Sequence, residues 1–309
     1  MSDLVEVAKS ILKSNLNIQD NEHILIVADP ESCEVADVFY EAGIALGNET
    51  MLMKMMTRTK SGEEPPQAVA RAMKTADAVL CITLHSLTHT KARKEASASG
   101  ARVATMPGIT VDMLKEGAIT ADYTEVEQLT KEYCRLLEDG ETVTIAKGES
   151  ELTLSIKGRK GIPSTGVFRN KGESGNLPSG ESYIAPIEDS ANGTILVDGS
   201  IAGIGVVSEP VLLTVEKGRL TDATGKEGKR LLELLGDGNG RIIAEFGIGT
   251  NKKARLTGNV LEDEKVFGTV HIAFGSNKPF GGTNEAGVHI DCVITGPIVK
   301  IDGKELGIK

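Results

Sequence analysis

Four short apolar runs, each followed by sequence of helical periodicity, constrain the first half of this chain more than any other feature. His23-Ile-Leu-Ile-Val-Ala-Asp29 runs straight into Pro30, and Glu49 to Met56, Asp77 to Leu84 and Ala101 to Met106 have the same character. Continuous apolar strands are those covered on both faces, as the strands of parallel sheets are. Helical patterns at about 31–46, 66–76, 91–99 and 121–138 separate and follow them. Strand and helix alternating in this way predict an α/β domain with a doubly wound parallel sheet.

The pattern changes near residue 141. Thr142 to Ile145 and Glu151 to Ile156 alternate polar and apolar residues around Gly148, and glycine-rich turns then dominate, broken by a helix at Lys226 to Leu235. With 35 glycines, no tryptophan, six phenylalanines and four tyrosines, the sheets must close on aliphatic residues. The chain therefore reads as an α/β domain over 1–140 and an α+β domain with a mixed or antiparallel sheet over 141–309.

A formal charge of −10 argues against nucleic acid or an anionic membrane as partner. Cys33, Cys81, Cys134 and Cys292 are isolated, which gives neither a disulfide framework nor a zinc knuckle. Leu4, Val5, Ala8, Ile11, Leu12 and Leu16 trace one helical face rather than a signal peptide. No run approaches the roughly 18–20 apolar residues of a membrane span. A cytoplasmic protein is expected.

Polar side chains inside apolar strands mark the candidate site. His271 stands in Gly-Thr-Val-His-Ile-Ala-Phe-Gly, and His289 and Asp291 stand in Gly-Val-His-Ile-Asp-Cys-Val-Ile. Side chains two apart on a strand share a face, so His289 and Asp291 project together. Glu245 lies in Ile-Ala-Glu-Phe-Gly-Ile-Gly, where an ionised carboxylate is costly unless compensated. Two imidazoles and a carboxylate converging from a rigid sheet outline a metal site.

The runs Asn176-Leu-Pro-Ser-Gly-Glu181, Ala244-Glu245-Phe-Gly-Ile-Gly-Thr-Asn251, Leu261-Glu-Asp-Glu-Lys-Val-Phe-Gly-Thr-Val-His271 and His289-Ile-Asp291 resemble, in order, those of the aminopeptidase T family (peptidase family M29). A weaker similarity covers His85-Ser-Leu-Thr-His89-Thr. The resemblance implies that Glu181, Glu245, His271, His289 and Asp291 bind two divalent metal ions (zinc, cobalt or manganese). It also implies a homodimer that removes the N-terminal residue of a short peptide or small amide. Two ions roughly 3.5–4 Å apart can share a hydroxide and polarise a scissile carbonyl.

The aminopeptidases carry a tyrosine shortly after the first histidine, and this chain has none after Tyr183. Lys278 is the candidate to assist at the developing oxyanion in its place, with Tyr183 as another. A different reaction is implied by a dioxygenase of the same superfamily that opens a dihydroxypyridine ring with one iron. His271, His289 and Asp291 would then be the iron-holding triad, with Glu181 and Glu245 around it. A metal-binding homologue without turnover is the third expectation. In the first domain, His85 and His89 follow a strand at its carboxyl end, where ligands of doubly wound sheets bind, and Thr88 or Thr90 is placed to cap the next helix. Gly203-Ile-Gly205 and Gly247-Ile-Gly249 lack the helix and acidic residue of a dinucleotide fingerprint.

Overall fold

The computed structural model describes residues 2–308. The chain divides into two units, Met1–Glu127 with Gly166–Ser179, and Gln128–Thr165 with Gly180–Lys309.

The first unit contains α1 (Ser2–Ser14), β1 (Ile24–Ala28), α2 (Cys33–Ala45), β2 (Thr50–Lys54), α3 (Gln67–Met73), β3 (Ala78–Ile82), α4 (Lys91–Ala98), β4 (Arg102–Thr105) and α5 (Val111–Glu116). Its sheet runs β2-β1-β3-β4 in parallel pairs, as the apolar runs require. Leu25, Val27, Val79, Cys81 and Val103 form one buried face with residues of α3 and α4. On the other face α2 lies so close that a Cβ at Gly43 would stand 2.4 Å from Thr50 Oγ1. Thr90 caps α4, its hydroxyl accepting from the Arg93 amide.

Helix α6 (Tyr123–Asp139) leads into the second unit, whose first strands are β5 (Thr142–Lys147), β6 (Ser150–Ser155) and β7 (Gly161–Ser164). The chain then returns to the first unit, where β8 (Ser174–Asn176) joins the parallel sheet beside β4. Composition changes at 140/141, after α6. Contacts instead divide the chain within that helix and assign 166–179 to the first unit, because β8 takes its hydrogen bonds from β4.

The remaining strands are β9 (Glu181–Ile184), β10 (Asn192–Val197), β11 (Ser200–Ile201), β12 (Gly205–Val206), β13 (Val211–Glu216), β14 (Arg219–Ala223), β15 (Ile243–Gly249), β16 (Thr269–Gly275), β17 (His289–Thr295), β18 (Ile298–Ile301) and β19 (Lys304–Leu306). Between them come α7 (Gly225–Leu235) and the single turn α8 (Val260–Asp263). They form two antiparallel sheets, β14-β13-β10-β6-β5-β18-β19 and β12-β11-β17-β16-β15-β9-β7. A shared aliphatic core joins them, with Ile145, Leu152 and Leu213 from one sheet and Phe246, Ile272 and Phe274 from the other. No helix among the described residues is long and apolar enough to cross a membrane.

A carboxylate and histidine centre on one sheet face

The second of these sheets has a buried apolar face and a face that carries chemistry, and the two alternate residue by residue. Ser182, Phe246, Ile272 and Cys292 belong to the inner set. Tyr183, Gly247, His271 and Val293 are paired across the sheet and share the opposite face. One step along, Glu245, Ala273 and Asp291 are paired, then Gly275 and His289. Glu181 opens β9 opposite Gly249. The fold therefore gathers all five expected ligand residues on one face.

Glycine makes this possible. A Cβ on Gly247 would lie 2.1 Å from His271 Nε2, so the imidazole lies across a neighbouring strand that offers no side chain. From there His271 Nε2 stands 3.2 Å from Glu245 Oε1 and 3.6 Å from Glu181 Oε2. On the other side, His289 Nε2 is 3.4 Å from Glu245 Oε2 and 3.3 Å from Asp291 Oδ1. The Glu245 carboxylate thus spans both imidazoles, one oxygen to each. His289 Nδ1 donates to the Ser276 carbonyl at 2.9 Å, which orients the ring with Nε2 toward the acids, the nitrogen that would ligate a metal once its proton is displaced.

Two residues not singled out in the sequence complete the cluster. Lys265 is fully buried, with Nζ 2.7 Å from Glu181 Oε1 and in contact with Glu264 Oε1. A buried lysine is tolerated only when paired, and here two carboxylates hold it. Both lie in the run Glu-Asp-Glu264-Lys265-Val, whose charges resemble any solvated turn. Only the surrounding apolar strands hinted otherwise.

The electrostatics follow from crowding. Burial opposes ionisation of His271, but the Glu245 hydrogen bond and the carboxylates of Glu181, Glu245 and Glu264 outweigh it and raise its pKa to about 9. His289 is driven upward in the same way, burial being overcome by Asp291 and Glu245. Asp291, despite burial, is held at about 2 by His289, His271 and Lys265. Burial raises Glu264 to about 8, with Glu181 and Asp291 adding to it against the pull of Lys265. Tyr183 is pushed well above its ordinary range by burial and then by Glu245, Glu181, Glu264 and Asp291.

This donor set fits a divalent cation. Three groups have ligand atoms close enough for one ion: Glu181 with Glu245 and His271, Glu245 with His289 and Asp291, and Glu264 with His271 and Asp291. Glu181 Oε2 and His271 Nδ1 are buried with no hydrogen-bond partner, and a buried carboxylate oxygen without a donor calls for a cation.

Lys278 is not brought into the cluster. It begins a short 3-10 turn (Lys278–Phe280), is 62% exposed, and pairs with Glu285 at 2.7 Å. The structure thus places Lys278 on the exposed rim, paired with Glu285, rather than among the acids and imidazoles. Phe280, two residues on, does reach the site. Its ring packs edge-on to Tyr183 (centroids 5.4 Å apart) and to His289 (5.8 Å). Glu188 anchors this segment, accepting from the Thr283 amide at 2.6 Å and from Asn277 Nδ2 at 3.1 Å.

A sequence description of the NicX family, 2,5-dihydroxypyridine 5,6-dioxygenase, matches residues 3–307. The chain belongs to that family. The structure of 2,5-dihydroxypyridine dioxygenase from Pseudomonas putida KT2440 superposes with a TM-score of 0.83 at 19% identity, covering 98% of this chain and 94% of that one. Wild-type AmpT from Thermus thermophilus superposes at 0.70 and 17% identity, covering 99% and 97%. At such identities both likenesses show the fold alone. No curated protein matches the chain significantly in sequence.

The expected assignment to the aminopeptidase T family is thereby corrected. The fold shared with AmpT stands, while membership lies with the dioxygenase family. The cause is physical: the blocks that carried the resemblance encode strands with acids and imidazoles on the face opposite the apolar core, and such strands build that sheet face whichever reaction it serves. Family membership and these ligand clusters make this chain an enzyme of a metal-binding family.

Proposed function

We propose that the chain is a ring-opening dioxygenase acting on a dihydroxylated pyridine, with the carboxylate and histidine face as its metal centre. The observation that carries this reading is the family match along residues 3–307 in a chain whose two imidazoles and Asp291 converge on one sheet face. His271, His289 and Asp291 would hold the ion. Asp291 lies within ligand reach of His289 in one group and of His271 in another.

Iron(II) bound there supplies the redox chemistry that lets a closed-shell ring react with dioxygen. The chain's own residues do the rest. Ser276 holds His289 in the tautomer that presents Nε2. Glu245 orients both imidazoles at once, and Glu181, its Oε2 unpartnered, is the acceptor for a proton leaving a substrate hydroxyl. In the overall change the ring bond between carbons 5 and 6 breaks. Carbon 5 becomes a carboxylate and carbon 6 a formyl group on nitrogen. Both atoms of dioxygen end in the product, so no separate reductant is consumed.

One observation favours a second reading. Glu245 directs Oε1 to His271 and Oε2 to His289, as a carboxylate bridging two ions would, and such a pair suits hydrolysis of an aminoacyl amide. The two readings separate under isotopically labelled dioxygen. The dioxygenase reading expects iron-loaded protein to give a ring-opened product carrying two labelled oxygens, and expects His289→Ala and Asp291→Ala to give none. Amine release from an aminoacyl amide with no labelled product would overturn it.

A further inference from the structure

Tyr183 is the one aromatic hydroxyl on the chemical face of the sheet. It lies two residues after Glu181 on β9 and is paired with Gly247, which is paired on its other side with His271. Tyr183 and His271 therefore flank the same bare backbone position from neighbouring strands. Its ring is fixed by an edge contact to Phe280, and Phe280 by an edge contact to His289, with interplanar angles of 85° and 88°. Tyr183, Phe280 and His289 form a continuous aromatic border along one side of the acids. The phenolic hydroxyl makes no hydrogen bond to any described residue and is not among the buried unpartnered atoms, so on this half-buried ring it is open to a ligand. A fixed ring with an open donor, beside the Phe280 ring and a cation-seeking cluster, is suited to receive a flat polar ligand.

We propose that Tyr183 is the substrate-orienting residue of this centre, donating its phenolic hydrogen to a hydroxyl oxygen of a planar hydroxylated heteroaromatic whose edge lies along Phe280. The proposal rests on the dihydroxypyridine reading and names which side chain selects the hydroxyl. The geometry accounts for Phe280 as well: its ring stands nearly perpendicular to both Tyr183 and His289 and gives the border an apolar member against which a heteroaromatic can pack. It also explains how the chain dispenses with a tyrosine in the segment 276–288. A phenol supplied from β9 stands on a strand, where its position is fixed more tightly than on a loop.

The test is an anaerobic titration of iron(II)-loaded protein with 2,5-dihydroxypyridine and with 2-hydroxypyridine, which lacks one hydroxyl, followed by ligand absorbance. Wild type is expected to bind the dihydroxy compound roughly tenfold more tightly than the monohydroxy one, as loss of a single hydrogen bond implies. Tyr183→Phe is expected to erase that preference while iron content and circular dichroism stay unchanged. A general loosening of the fold would weaken both ligands equally and leave the preference intact. A Tyr183→Phe protein that keeps the preference overturns the proposal and leaves the dioxygenase reading standing. A wild-type protein that binds neither compound overturns both.

Discussion

The imidazole of His271 occupies the space that a side chain at position 247 would fill, with Nε2 2.1 Å from where a Cβ would stand. The centre is therefore encoded as much by the missing side chain of Gly247 as by its acids and histidines. Gly247→Ala should expel the ring from its place between Glu245 and Glu181. The expected result is at least a tenfold loss of divalent-metal affinity, in the range seen when a ligand's support is removed, measured by competition with a chromophoric chelator.

Lys265 is the internal counter-charge of the cluster. Lys265→Met would remove the buried cation shared by Glu181 and Glu264, leaving Glu181 only His271 at 3.6 Å in the absence of metal. A cost of about 3–5 kcal/mol in urea denaturation at neutral pH is expected. Adding Glu264→Gln should recover part of it, because the two residues contact and their effects are coupled.

The pH dependence of the metal-free protein has a definite sign. His271 titrates near 9 when folded, against about 6.5 when unfolded, so its stabilisation is complete below about 6.5 and is lost as pH rises through 9. Glu264, raised from 4.5 to about 8, also binds more protons folded than unfolded, and its contribution is lost as pH rises from about 4.5 through 8. Asp291 works at the other end: held at about 2, its contribution is present above about 4 and lost as pH falls through 2. The urea midpoint in chelator should fall steadily from pH 5 to 9. Excess divalent cation should reverse the trend, since ligation requires neutral imidazoles.

Glu188 lies outside the cluster but fastens the segment that carries Ser276 and Phe280, through Asn277, Thr283 and an ion pair to Arg159 at 2.5 Å. Glu188→Ala should raise hydrogen exchange across 276–288. It should weaken dihydroxypyridine binding about tenfold and leave metal content intact, because His289 is the one proposed ligand this segment touches, through the Ser276 carbonyl and the Phe280 ring.

Much of this was legible in the sequence because strands impose strict alternation. His289-x-Asp291 and the isolated Glu245 and His271 could only share a sheet face if the strands paired in order, and β15, β16 and β17 do. The parallel sheet was equally readable from its apolar runs. Long-range returns were not: β8 joins β4 from about seventy residues away with three residues, Ser-Gly-Asn, that carry no strand signal. Lys265 and Glu264 escaped notice because a charged run reads as solvated until the strands around it are assembled. Lys278 shows the converse, being close in sequence to the site yet turned to solvent, while Phe280 in the same turn packs against Tyr183 and His289.

The central claim is tested most directly by oxygen uptake. Protein loaded anaerobically with iron(II) is mixed with 2,5-dihydroxypyridine in an oxygen-electrode cell, and substrate loss is followed by absorbance. One dioxygen consumed per ring lost, abolished by Asp291→Ala, is the predicted result. No oxygen uptake by iron-loaded protein, with release of amine from an aminoacyl amide by protein holding two divalent ions per chain, would contradict the account.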